Sequence, residues 1–129
     1  MTVKEMIQQL VSLPMDAQVV SRYNARKSWG RKVTGVLPSG EEVSYWVLGC
    51  VLSVPLGEFE NAKEVKLMHP FKGSHLTVRD FLCDLVKCPM EAEVTMSMTT
   101  IRTGTEYVSD FTPTVIRDKE GGYMVEFNP

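Results

Sequence analysis

Residues 2–21 read TVKEMIQQLVSLPMDAQVVS, and residues 77–96 read TVRDFLCDLVKCPMEAEVTM. The two align without a gap, from Thr2 on Thr77 through to Ser21 on Met96. Thr2/Thr77, Val3/Val78, Leu10/Leu85, Val11/Val86, Pro14/Pro89, Met15/Met90, Ala17/Ala92 and Val19/Val94 are identical, and Lys4/Arg79, Glu5/Asp80, Ile7/Leu82 and Asp16/Glu91 keep their chemistry. Self-similarity on this scale implies two copies of one supersecondary unit.

Each copy opens as a helix. Thr2 and Thr77 are good N-caps, and Glu5 and Asp80 fall three residues later, the capping-box spacing. Val3, Met6, Ile7, Leu10 and Val11 follow helical periodicity, as do Val78, Phe81, Leu82, Leu85 and Val86. Pro14 and Pro89 end the helices, because the residue before a proline is pushed out of the helical region. A half-buried strand then follows. Val94, Met96 and Met98 alternate with Glu93, Thr95 and Ser97, and Val19, Ser21 and Tyr23 hold the matching places in the first copy.

Two further strands complete each unit, over residues 42–54 and 64–68 in one copy and over 105–111, with an extension through 114–117, and 123–127 in the other. Glu120-Gly121-Gly122 supplies a hairpin turn before the last. The expected fold is α+β: a tandem duplication of an αβββ unit with pseudo-twofold symmetry, two helices packed on antiparallel sheet. The repeats are assigned to residues 1–70 and 77–129, joined by a linker at 71–76. Aligning the Gly40 and Gly104 turns leaves about eleven extra residues in the first copy, within 24–38. Each repeat alone sits near the lower size limit for independent folding, so a shared core is expected.

The apolar and charged fractions are those of an ordinary globular chain. No apolar run approaches the ~20 residues of a membrane span, and the longest, 45–55, is interrupted by Gly49 and Ser53. The first residues lack the apolar core of a secretory signal. Three cysteines, an odd number, argue against a disulfide framework and for a reducing cytosol. The net charge of −2 hides an asymmetry. No acidic residue lies between Asp16 and Glu41, where Arg22, Arg26, Lys27, Arg31 and Lys32 fall; with these five set aside, the rest carries −7. The second copy is acidic, so the molecule offers a local positive patch on a negative background.

The helical opening resembles that of a class of small bacteriophage and prophage proteins, whose common start is T-V-x-E-L-I-x-x-L-x-x-L-P-x-D-A-x-V. It stands here as TVKEMIQQLVSLPMDAQV and, less closely, as TVRDFLCDLVKCPMEAEV, departing at Cys88 and Glu91. The resemblance spans Thr2 to Val19 in one copy and Thr77 to Val94 in the other. It implies a phage-type source and host bacterial cytosol, and it assigns no catalytic residue.

The basic insertion is the most suggestive chemistry. Arg22, Arg26, Lys27, Arg31 and Lys32 surround Tyr23 and Trp29. Guanidinium and ammonium groups match phosphate or carboxylate, and a loop tryptophan stacks on a base or fills a partner's pocket. The plainer reading is an exposed hairpin extension with solvated charges. Generic nucleic-acid binding is disfavoured by the acidic remainder. His69 and His75 have no companions at a ligand spacing, and Cys83 and Cys88 are five apart rather than in C-x-x-C. Asp80 is explained by capping, and neither G-x-x-x-x-G-K-[ST] nor G-x-G-x-x-G occurs. The expectation is a non-enzymatic, phage-type binding protein, without cofactor, catalytic group or metal, that occupies or inhibits a host macromolecule. Its contacts are Arg22, Arg26, Lys27, Trp29, Arg31 and Lys32. A host protein is the favoured partner, with nucleic acid or nucleotide next and no membrane role. The alternatives are a nucleotide-sequestering module and a structural accessory protein.

Overall fold

Helix α1 (Val3–Leu10) and helix α2 (Val78–Leu85) start where the repeated phrase places them. The structure, a computed structural model, describes residues 1–23, 31–54, 57–68, 75–100, 104–108 and 111–128. Both capping boxes are formed: Glu5 N–H donates to Thr2 Oγ1 at 3.2 Å and Thr2 N–H to Glu5 Oε1 at 3.3 Å, while Asp80 N–H donates to Thr77 Oγ1 at 3.4 Å and Thr77 N–H to Asp80 Oδ2 at 2.9 Å. A helix start leaves further N–H groups without partners, and here the other half of the chain supplies them. Val3 N–H donates to the Ala92 carbonyl at 2.9 Å and Lys4 N–H to the Met90 carbonyl at 3.0 Å. In return, Val78 N–H donates to the Ala17 carbonyl at 2.9 Å and Arg79 N–H to the Met15 carbonyl at 3.0 Å. The Pro-x-Asp/Glu-Ala phrase is thus a tight turn, closed by Ala17 N–H to Pro14 O and Ala92 N–H to Pro89 O, whose carbonyls cap the opposite helix.

The chain is α+β with two helices and mixed sheets. Its strands are β1 (Gln18–Tyr23), β2 (Arg31–Val36), β3 (Glu42–Gly49), β4 (Val51–Ser53), β5 (Glu64–Met68), β6 (Glu93–Thr100), β7 (Gly104–Val108), β8 (Thr112–Asp118) and β9 (Tyr123–Asn128). Two expectations need correction. The sheets are not wholly antiparallel, because β1 runs parallel to β9 and β5 parallel to β6. The halves also hold more than three strands each among the described residues: β1 to β5 in one and β6 to β9 in the other. The physical reason for both is exchange. The last strand of each half lies beside the first strand of the other, and the intervening stretch breaks so that it can pass between sheets. Residues 42–54 break at Cys50, with β3 on one sheet and β4 on the other.

The four-stranded sheet has the order β4-β5-β6-β7, paired antiparallel, parallel, antiparallel. The second sheet contains β8-β9-β1-β3 with the same succession of pairings. Strand β2 then joins β3 to β8, antiparallel to both, and closes that sheet into a five-stranded barrel. Ser21 lies opposite Leu48, twenty-seven positions on; Met96, with which Ser21 aligns, lies opposite Val108, only twelve positions on. The first half therefore carries fifteen additional residues between these strands, not eleven; Gly104 matches Ser44 in register rather than Gly40.

Two cores result. The larger draws on both halves: Val3, Met6 and Leu10 of α1, Val78, Phe81 and Leu85 of α2, Val19, Val65, Leu67, Val94, Met96, Val125 and Phe127 from the strands. Phe111 meets Phe127 edge to face, centroids 5.4 Å apart. The smaller core fills the barrel with Val20, Val33, Val47, Ile116 and Met124. Alternation divides β1 between them, Val19 facing the helices and Val20 the barrel. At about 1.5–3 kcal/mol for each large apolar side chain removed from water, the shared core is the main stabilising term. The predicted turn at Glu120-Gly121-Gly122 joins β8 to β9, and Gly121 and Gly122 take φ of 120° and 84°, where a side chain would strain the backbone.

Candidate functional site

The barrel carries the basic segment. Arg22 lies in β1, Arg31 and Lys32 in β2; Arg26, Lys27 and Trp29 lie outside the described residues. Strands β1 and β2 flank β3 on its two sides, so the ends of the basic segment are anchored one strand apart. The register sorts the positions into rows. Arg22 and Arg31 both stand opposite Val47, which is buried in the barrel core. Tyr23 and Lys32 both stand opposite Trp46. Lys32 is exposed and Trp46 half-buried. Trp46 is the residue that sequence reasoning missed. In the chain it reads as one more apolar strand residue, and only the pairing of β3 sets it beside Lys32.

Two further rows extend this outer face. Thr34 and Ser44 stand opposite each other, their hydroxyls 3.0 Å apart. Glu42, Val36, Arg117 and Tyr123 form a row across β3, β2, β8 and β9. Around that row lies a shallow open depression of about 340 Å³, also lined by Asp118, Lys119, Gly121 and Gly122. Lys119 Nζ reaches Glu42 Oε2 at 3.1 Å across the depression. Both partners are more than half exposed, so this bridge is worth at most about 1 kcal/mol. Arg117 is exposed and Tyr123 half exposed. Cations beside aromatic rings on a pleated face can orient a carboxylate, a phosphate or a flat ring.

The other candidates are placed elsewhere. Cys50 is buried between β3 and β4, and burial pushes its thiol up to about 12. Cys88 is buried at the end of α2, its thiol donating to the Asp84 carbonyl; burial raises its pKa, and the charges of Asp84 and Glu60 add to the rise. Neither is poised as a thiolate. Cys83 is exposed on α2. His75 is exposed, and His69 lies outside the described residues. Asp80 is occupied in the cap, and Glu91 and Glu93 are exposed. Among the described residues, no three of His, Cys, Asp and Glu come together as a metal site. No helix among them is long and apolar enough to cross a membrane. No family model, curated protein or solved structure matches the chain.

Proposed function

We propose that the chain is a tandem duplication whose two units are related by a pseudo-twofold exchange of strands, and that it acts as a phage-type binding protein occupying a host macromolecule. The duplication is supported by the reciprocal hydrogen bonds at the two helix starts and by the common strand order of the two sheets. The binding reading rests chiefly on one observation: the connection from β1 to β3 is fifteen residues longer than that from β6 to β7, includes β2, and holds Arg26, Lys27, Arg31 and Lys32, with Arg22 bordering it in β1. An insertion that both closes a barrel and concentrates charge is the part of the molecule free to specialise.

In this reading Arg26, Lys27, Trp29 and Lys32 make contact together with Trp46. The aromatic rings anchor, and the cations orient an acidic or phosphate-bearing partner. Arg22 and Arg31, each opposite Val47 in register, stand at the two ends of the segment and complete the set of contacts. A host protein is the partner favoured over nucleic acid, because the acidic remainder opposes a generic polyanion.

The test is capture from bacterial lysate with and without nuclease, comparing wild type with a variant in which Arg26, Lys27, Trp29 and Lys32 are Ala. A protein held by wild type alone, whatever the nuclease treatment, is the expected result. Capture lost on nuclease treatment would replace the protein partner by nucleic acid. Equal capture by both forms would reduce the segment to a decorated hairpin.

A further inference from the structure

The barrel shows what the open sheet lacks. Strand β3 pairs with β1 on one side and with β2 on the other, the second pairing running over six residue pairs from Arg31↔Val47 to Val36↔Glu42. Strand β7 holds the corresponding place in the four-stranded sheet: it pairs with β6 as β3 pairs with β1, and among the described residues its other edge has no strand. An uncovered edge is a row of backbone donors and acceptors awaiting a partner. From these relations we infer that this edge of β7, which no described strand covers, is a docking site for an extended, basic segment of another polypeptide, added antiparallel as β2 is added to β3.

Register supplies the chemistry of that segment. Tyr23 lies opposite Trp46, and Met98, its counterpart in the second copy, lies opposite Glu106; Trp46 in turn lies opposite Lys32. The residue of an added strand that takes the place of Lys32 therefore stands opposite Glu106, an acidic residue at the middle of the edge. A cation there is favoured by cross-strand pairing, whereas a second copy added through the same edge would set Glu106 near its own equivalent. Binding by strand addition gives affinity through the backbone and selectivity through alternate side chains. This inference does not depend on the reading of the basic segment in the barrel, and its test leaves that segment intact.

The probe is a fluorescein-labelled synthetic peptide carrying the β2 sequence RKVTGV between glycines, titrated into the full chain and followed by anisotropy. Saturable binding is expected, with slowed amide exchange at residues 104–108. Glu106→Lys should weaken it about fivefold, and a peptide with Glu in place of its Lys should bind that variant better than wild type. N-methylation of alternate peptide residues should abolish binding. No binding, or binding indifferent to Glu106 and to N-methylation, would overturn the inference. Slowed exchange at residues 42–49 instead would mean that the peptide displaces β2, and would overturn it equally. Concentration-dependent slowing at 104–108 in the protein alone would give the edge to a second copy, and that too would overturn it.

Discussion

Of the two sheets, one is closed and one is open, though strand for strand they are ordered alike. The difference goes beyond the presence of β2. In the barrel, the faces of β1 and β9 turned away from the helices carry Val20 and Met124. The matching positions of β6 and β5 are Thr95 and Glu64, whose side chains hydrogen-bond to each other at 3.3 Å, with Lys66 half-buried beside them. The same framework therefore becomes a barrel where its second face carries Val20 and Met124 beside one buried carboxylate, Glu126, and stays a sheet where that face carries Thr95, Glu64 and Lys66. An apolar face has to be covered, and β2 brings Val33 to cover it.

Exchanging the two faces is the strongest way to break this comparison. Val20→Thr with Met124→Glu writes the open sheet's residues into the barrel. It should cost more than about 4 kcal/mol, read as a collapse of the urea midpoint, because a second carboxylate would be buried on the face that already holds Glu126, with only the new hydroxyl to meet it. The shared core should respond next. Phe81→Ala is expected to cost about 3–5 kcal/mol and Met6→Ala, at the matching place in α1, about 2–5 kcal/mol. Either variant should melt in a single transition, since both helices feed one core; separate transitions for the halves would contradict that.

Cys50 tests the crossing point between the sheets. Its thiol titrates near 12 in the fold against 9.0 for an open thiol, so above pH 9 the unfolded chain loses a proton that the folded one keeps. Its contribution to stability is full below pH 9 and falls by about 1.4 kcal/mol per pH unit toward 12. The urea midpoints of wild type and Cys50→Ala, compared between pH 8 and 10.5, should converge with that slope; parallel curves would show the thiol to be open to water. The caps come next. Thr2→Ala and Thr77→Ala should each cost about 1 kcal/mol, and equally, in thermal melts. The smallest effect is the reverse exchange. Glu64→Met with Thr95→Val should change stability by less than about 1 kcal/mol while promoting aggregation seen by light scattering, because it adds apolar surface to a face that no described strand covers.

The parts of this design that could be read from the chain are those whose causes are local. The caps at Thr2 and Thr77, the stops at Pro14 and Pro89 and the turn at Gly121-Gly122 each depend on residues within a few positions. What could not be read depends on distant partners. Nothing near Val19 announces a parallel neighbour at Val125, and nothing near Val65 announces Val94. The break at Cys50 looks like continuous strand because both of its sides are apolar. The basic window was visible as charge. Its partner Trp46 was not, because the row it shares with Lys32 exists only once β2 and β3 pair.

The β1–β9 pairing also bears on how the chain is made. Val20 finds its partner at Glu126, at the far end of the sequence. While the protein is being synthesised, the first half can form α1 and the β2–β3 hairpin, but β1 waits with one edge open until β9 leaves the ribosome. Long-range pairing of this kind slows folding and prolongs the exposure of strand edges. A chain stalled just before β9 would hold both helices and β1 to β8, yet neither the closed barrel nor a finished core.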